Sequence, residues 1–270
     1  MREVNSWTPD KLALLAYYLG PFADLCAGMA GGWYFLDGFA GNGANDAGEG
    51  NTYKGSALIG VTMEPPATKC VLIEQGATEA ALLRARCEPL GRGAVVLEGD
   101  CNELISSALA EFEDRELPAF CLFDPEGLEL GWEAIELCSR RRTRGTPYEL
   151  MVYFSTSGVM RTAAVTDERM IEANEQALRR VFGNDGWRPI ADRQRAGTLS
   201  GKDAGGEYLN LYKKQLEELG YKYVMSRPAL GGSGKNLIYH LVFATSHETG
   251  RNIMRDALER AYASQMPLPF

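Results

Sequence analysis

Four acidic residues stand at the ends of short apolar runs, and a glycine cluster follows the first. WYFLD ends in Asp37 and continues as Gly38-Phe39-Ala40-Gly41-Asn42-Gly43. KCVLIE ends in Glu74, AVVLEGD ends in Asp100 before Cys101, and AFCLFD ends in Asp124 before Pro125-Glu126-Gly127. Closely spaced glycines let a backbone turn tightly and approach a ligand. An acid at the end of a second strand suits a pair of ribose hydroxyls, or a solvated turn. Asp100 can take the amino group of an adenine, with the Cys101 backbone beside the ring, or cap the helix that follows. Glu126 can serve as general base, as a carboxylate clamp, or as a structural turn acid.

The elements that must hold these residues follow from periodicity. KLALLAYYLG (11–20) reads as an amphipathic helix with Pro9 in its first turn, within an N-terminal helical cap of about 8–30. Strands are expected at 33–37, 69–74, 94–100, 119–124 and 149–155. Helices are expected at 56–64, 78–87, 102–114 and 132–141. A long helix at 167–182, a polar insertion at 186–205 and a helix at 206–219 follow. Strands at 222–228 and 236–246 flank ALGGSGK and form an antiparallel hairpin, and a helix at 248–263 closes the pattern. The expected fold is one α/β domain over 1–270: five parallel strands plus a C-terminal antiparallel hairpin, with helices on both faces.

Composition narrows the functions. The 270 residues are 45% hydrophobic and 24% charged, ordinary for a globular chain. No uninterrupted apolar run reaches the length of a membrane helix, and MREVNSWTPDKL lacks an apolar export core. A net charge of -8 argues against coating nucleic acid without specificity. It leaves room for a local basic groove. Six dispersed cysteines form no CxxC unit and read as buried apolar residues in a reducing cytosol, which makes the expected location cytoplasmic. No metal site is expected. The spacing D-G-F-A-G-N-G is not G-x-G-x-x-G, so dinucleotide binding is disfavoured. In ALGGSGKN, Lys235 spoils the hydrolase elbow around Ser233, and Ala229 and Asn236 spoil the phosphate loop. His247 reads as a capping or packing residue.

Basic residues cluster at Arg140, Arg141, Arg142 and Arg144, and again at Arg188, Arg193, Arg195 and Lys202. Either set can be a solvated helix end. In the second, Trp187 beside Arg188 can stack on and neutralise a polynucleotide, and Arg161 just past the fifth strand lies toward the same cleft.

The strand order and the D-x-F-x-G-x-G motif resemble the Rossmann-like sheet of class I S-adenosylmethionine-dependent methyltransferases, particularly amine-methylating ones. Across residues 8–260 the chain further resembles the three-Cys-motif partner proteins. The resemblance rests on FLDGFAGNG, KGSALIG, VLIEQ, FDPEGLELGWEAIE, VYFSTSGVMR and LIYHLVFATSHETGRNIMRDAL. It implies S-adenosylmethionine as cofactor, held by Asp37, Gly38, Phe39, Gly41, Gly43, Glu74, Asp100 and Cys101. Asp124, Pro125 and Glu126 would work on the acceptor, with Arg161, Trp187 and Arg188 binding substrate. The amine-methylating motif carries a second proline and an aromatic ring where this chain has Glu126 and Gly127, so the ring that stacks a flipped base is missing. The implied function is methylation of an amine, nucleic acid among the candidates, in a bacterial mobile-element or defence setting. The other reading is a non-catalytic or cofactor-sensing scaffold for a three-Cys-motif protein.

Overall fold

The computed structural model describes residues 8–48, 51–142, 145–230 and 237–263. The loop residues Ser233 and Lys235, and Arg144, lie outside them. A seven-stranded sheet carries the fold, with strands β1 (Tyr34–Asp37), β4 (Lys69–Glu74), β5 (Val95–Glu98), β6 (Ala119–Phe123), β7 (Glu149–Phe154), β8 (Tyr223–Leu230) and β9 (Leu237–Thr245). Their spatial order is β5-β4-β1-β6-β7-β9-β8. The first five are parallel, and β9 runs antiparallel to both β7 and β8. This is the expected Rossmann-like arrangement.

Alternation along the central strands splits the core between the two faces. Tyr34, Leu36, Val71, Ile73, Cys121, Phe123 and Val152 point to one side. Phe35, Cys70, Leu72, Phe120, Leu122 and Tyr153 point to the other. The period of two along a strand requires this once both faces are covered. The first face packs α4 (Cys101–Ala110), α5 (Trp132–Arg140), α6 (Thr156–Ala163), α7 (Glu168–Phe182), α8 (Arg188–Arg195) and α9 (Gly201–Glu218). The second packs α1 (Thr8–Ala30), α2 (Ser56–Val61), α3 (Ala77–Cys87) and α10 (Glu248–Ala263). All six cysteines are buried, as a reading of them as small apolar residues requires.

Helix α1 spans the expected N-terminal cap of about 8–30, and Asp10–Ala30 is long and apolar enough to cross a membrane by length and composition. Its Leu15, Tyr18, Leu19 and Ala23 are buried in the second core, so here it is a core helix. Three details differ from the sequence expectation. Helix α6 was not foreseen. The stretch 186–205, expected to be a polar insertion, forms α8 and the start of α9 instead. Trp187, Ile190 and Ala191 recur at i, i+3 and i+4 and are buried, giving a polar stretch one narrow core-facing stripe. A small hairpin, β2 (Ala44–Gly48) and β3 (Asn51–Lys54), separates the glycine loop from α2. Gly55 N donates to Gly43 O at 2.8 Å, so the chain returns to where it left and α2 starts beside the loop.

Candidate functional site

The chain leaves β1 for β4 on one side while β6 flanks it on the other. That reversal opens a crevice at the carboxyl ends of the strands, where open α/β sheets bind ligands. A cleft of about 820 Å³ occupies it. Gly38, Phe39, Gly41, Gly43, Glu74, Asp100, Cys101, Asp124 and Glu126 all line this cleft. One place therefore gathers nine of the fourteen residues singled out from the sequence.

The loop after β1 is built for close approach. A Cβ on Gly38 would lie 2.6 Å from the Phe123 ring and 2.9 Å from Cys101 Sγ. Gly43 has φ +82° and packs against Leu83 and Leu58, a conformation and a space that only glycine fits. Glu74 clamps this loop: Gly41 N donates to its Oε2 at 2.8 Å and Gly76 N to its Oε1 at 2.7 Å. Arg86 on α3 donates to the Asn42 carbonyl and to Asn42 Oδ1. Asp100 caps α4 by accepting from Asn102 N at 2.7 Å. Asn102 Nδ2 donates to Asp100 Oδ1 and to Glu129 O, each at 2.8 Å, and Asn102 Oδ1 accepts from Gly131 N at 2.6 Å. Asn102 thereby staples the start of α4 to the loop after β6.

Asp37 differs from its expected role. It is fully buried and does not line the cleft. Its Oδ1 accepts from Phe39 N at 3.1 Å, while its Oδ2 is buried without a hydrogen-bond partner. Burial pushes its carboxyl up to about 7, against the pull of the Ser56 hydroxyl and Phe39 N–H and with the charges of Asp124 and Glu74 adding to the rise. Asp37 is therefore an organiser of the glycine loop.

Pro125 lies against a separate void of about 20 Å³ with Phe154 and Tyr212, outside the cleft. Trp187 is fully buried and offers no ring face to a polynucleotide. The Arg188 guanidinium lies 4.8 Å from the Trp187 ring centroid and pairs with Glu175 at 2.8 Å and Asp185 at 3.1 Å. Arg193 pairs with Glu207, and Arg195 donates to the Ala163 carbonyl. Arg161 is exposed on the last turn of α6 and does not line the cleft. In the first basic cluster, Arg141 donates to Leu109 O and Phe112 O, and Arg142 to Glu116 O. These arginines satisfy main-chain carbonyls near the end of α4, at the opposite end of the strands from the cleft. His247 pairs with Thr146 at 2.6 Å, consistent with its reading as a packing residue.

Sequence reading missed Lys11. Its Nζ lies 2.7 Å from Asp124 Oδ1 and 3.0 Å from Oδ2. The same ammonium stands 4.2 Å from the Tyr153 ring centroid and 4.4 Å from that of Tyr239. One signal was available. Lys11 sits in the first turn of α1, where a cation opposes the helix dipole and therefore calls for a tertiary partner.

The charge of the cleft is one-sided. Glu74, Glu79, Asp100, Asp124, Glu126 and Glu129 line it against Arg180. Such a lining repels phosphates and attracts a cation.

No family model matches the chain, and no curated protein matches it in sequence. Among solved structures, a Legionella pneumophila protein of the DUF519 family model is similar at 13% identity and a TM-score of 0.56, covering 94% of this chain and 92% of that one. A Bacillus cereus O-methyltransferase in complex with SAH is similar at 14% identity and a TM-score of 0.45, covering 84% and 80%. The first of these is a likeness of fold.

Proposed function

We propose that the chain is an S-adenosylmethionine-dependent methyltransferase acting on an amine nitrogen. The observation that carries this reading is the cleft at the β1–β6 switch point, with a tight glycine loop on one wall and the acidic strand ends Glu74, Asp100 and Asp124 around it. The residues fit the cofactor in charge: the acidic lining complements a sulfonium and an ammonium. A cleft of about 820 Å³ also falls within the range of cofactor sites.

When bound, S-adenosylmethionine supplies an electrophilic methyl group on sulfur. Glu74 and Asp100 each keep lone pairs for ribose and adenine while they hold their loops. Asp124 accepts a hydrogen of the acceptor amine and fixes its lone pair in line. An acceptor bound as its ammonium would first give a proton to the Asp124 or Glu126 carboxylate, which would pass it to water and leave the nitrogen lone pair free to take the methyl group that the cofactor would supply.

A second reading, a cofactor-sensing partner of a three-Cys-motif protein, is favoured by two features. Lys11 already occupies both oxygens of Asp124, and no aromatic ring follows Pro125. The partner and the bacterial defence setting follow from the sequence resemblance and stand with this proposal. Nucleic acid as acceptor is weakened by the acidic cleft and by the engagement of Arg188, Arg193 and Arg195.

Calorimetric titration with S-adenosylmethionine and S-adenosylhomocysteine tests the central claim. Saturable binding, lost in Asp37→Ala, is expected. No binding, with or without the partner protein, would remove the methyltransferase reading.

A further inference from the structure

Lys11 reaches Asp124 across a cage that is more elaborate than an ion pair needs. The Tyr153 and Tyr239 rings stand 5.2 Å apart at 81°, and the ammonium faces both. Two ring faces and one carboxylate form a three-sided receptor for a cation. Beside it runs a groove of about 60 Å³ whose walls include Leu14, Pro228, Leu241 and Leu258, with Asp10 also lining it. Apolar walls suit a methylene chain, and the carboxylate end suits its charged terminus. Arg227 also lines the groove, and its guanidinium donates to Leu258 O at 3.4 Å. Asp124 belongs to the large cleft as well, so the cage opens onto the place where a transferable methyl would arrive.

We infer that Asp124, Tyr153 and Tyr239 form a binding subsite for a primary aliphatic ammonium group, which Lys11 fills in the resting chain as an internal stand-in for the acceptor. The acceptor role rests on the methyltransferase reading, whereas the subsite stands on its own geometry. The chemistry separates this class from a nucleobase. An exocyclic base amine is neutral and gains little from two ring faces, and its phosphates would meet Glu126 and Glu129 at the cleft. An alkylammonium matches the cage, the apolar groove and the sign of the surrounding charge.

The test uses cofactor-free full-length chain titrated with n-butylammonium chloride, read by calorimetry and by the tyrosine ring resonances. n-Butanol and 1-methylcytosine, a neutral base amine with neither ribose nor adenine, are the comparators. Lys11→Ala removes the internal competitor and is expected to bind n-butylammonium at least about tenfold more tightly than the unaltered chain. Butanol and 1-methylcytosine are expected not to bind. Adding Asp124→Asn to Lys11→Ala is expected to lower the affinity about tenfold. Should Lys11→Ala fail to fold, Lys11→Met keeps the apolar stem, and methylammonium becomes the probe for the emptied end of the cage. A folded variant that binds no amine, or that binds 1-methylcytosine as well as the amine, overturns the subsite. A parallel titration with S-adenosylhomocysteine keeps the two ideas apart. Homocysteine-nucleoside binding without amine binding overturns the subsite alone, and amine binding without it upholds the subsite and removes the methyltransferase reading.

Discussion

Lys11 Nζ bridges both carboxylate oxygens of Asp124, at 2.7 and 3.0 Å, across 113 positions of chain. The pair ties the first turn of α1 to the end of β6 and sits where the proposed acceptor would. Its side chains are 21% and 32% exposed, so its contribution to stability is modest and its placement matters more. Asp124→Asn is expected to leave S-adenosylhomocysteine affinity within about threefold while lowering methyl transfer by about a hundredfold or more. Equal turnover in the variant would remove Asp124 from the reaction.

Asp37 acts through the loop it holds. Asp37→Asn keeps an oxygen for Phe39 N and is expected to bind S-adenosylhomocysteine within a fewfold of the unaltered chain. Asp37→Ala loses that acceptor and is expected to bind at least about tenfold more weakly. Similar losses in both variants, measured by calorimetry, would instead assign the carboxylate a direct charge contact.

Gly38→Ala places a methyl 2.6 Å from the Phe123 ring and 2.9 Å from Cys101 Sγ. Overpacking of this kind costs about 1–3 kcal/mol. A lower denaturation midpoint together with weakened cofactor binding is expected. The double variant Gly38→Ala, Cys101→Gly relieves one of the two contacts and is expected to recover part of the stability.

Glu149 is fully buried, accepting from the Tyr18 and Thr245 hydroxyls, and burial pushes its carboxyl up to about 7. An acid raised in the folded state holds its proton where the unfolded chain has released it. Stability should therefore fall as pH rises from about 4.5 toward about 7, by up to about 1.4 kcal/mol per pH unit for one such group. Asp37 contributes in the same direction. Glu149→Gln is expected to flatten this slope in urea titrations across that range. An unchanged slope would place the buried charge elsewhere.

Trp187 is a core residue. Trp187→Ala is expected to cost about 3–5 kcal/mol in chemical denaturation. Arg188→Ala, which leaves the core intact, is expected to leave DNA and RNA retention in gel-shift assays unchanged. A clear loss of retention in Arg188→Ala would restore the nucleic-acid reading of this region.

The sequence by itself determined the sheet and the strand ends that line the cleft. Five apolar runs with acidic ends, separated by helical periods, admit one parallel sheet, and the short connection between the last two strands forces an antiparallel pair. The glycine spacing after Asp37 was legible because close approach restricts residue type locally. Asp100 as a helix cap was legible for the same reason. Tertiary structure decided the rest. Periodicity carries no record of which distant side chain meets which, so the Lys11–Asp124 pair and the Tyr153–Tyr239 cage could not be read from it. The mean polarity of 186–205 hid the stripe of Trp187, Ile190 and Ala191, since three apolar residues on one face are enough to bury a helix. The arginines near Trp187 looked available to a polyanion until folding brought Glu175, Asp185 and Glu207 against them. Pro125 and Asp124 are adjacent in sequence yet face different cavities, because consecutive side chains leaving a strand point to opposite sides.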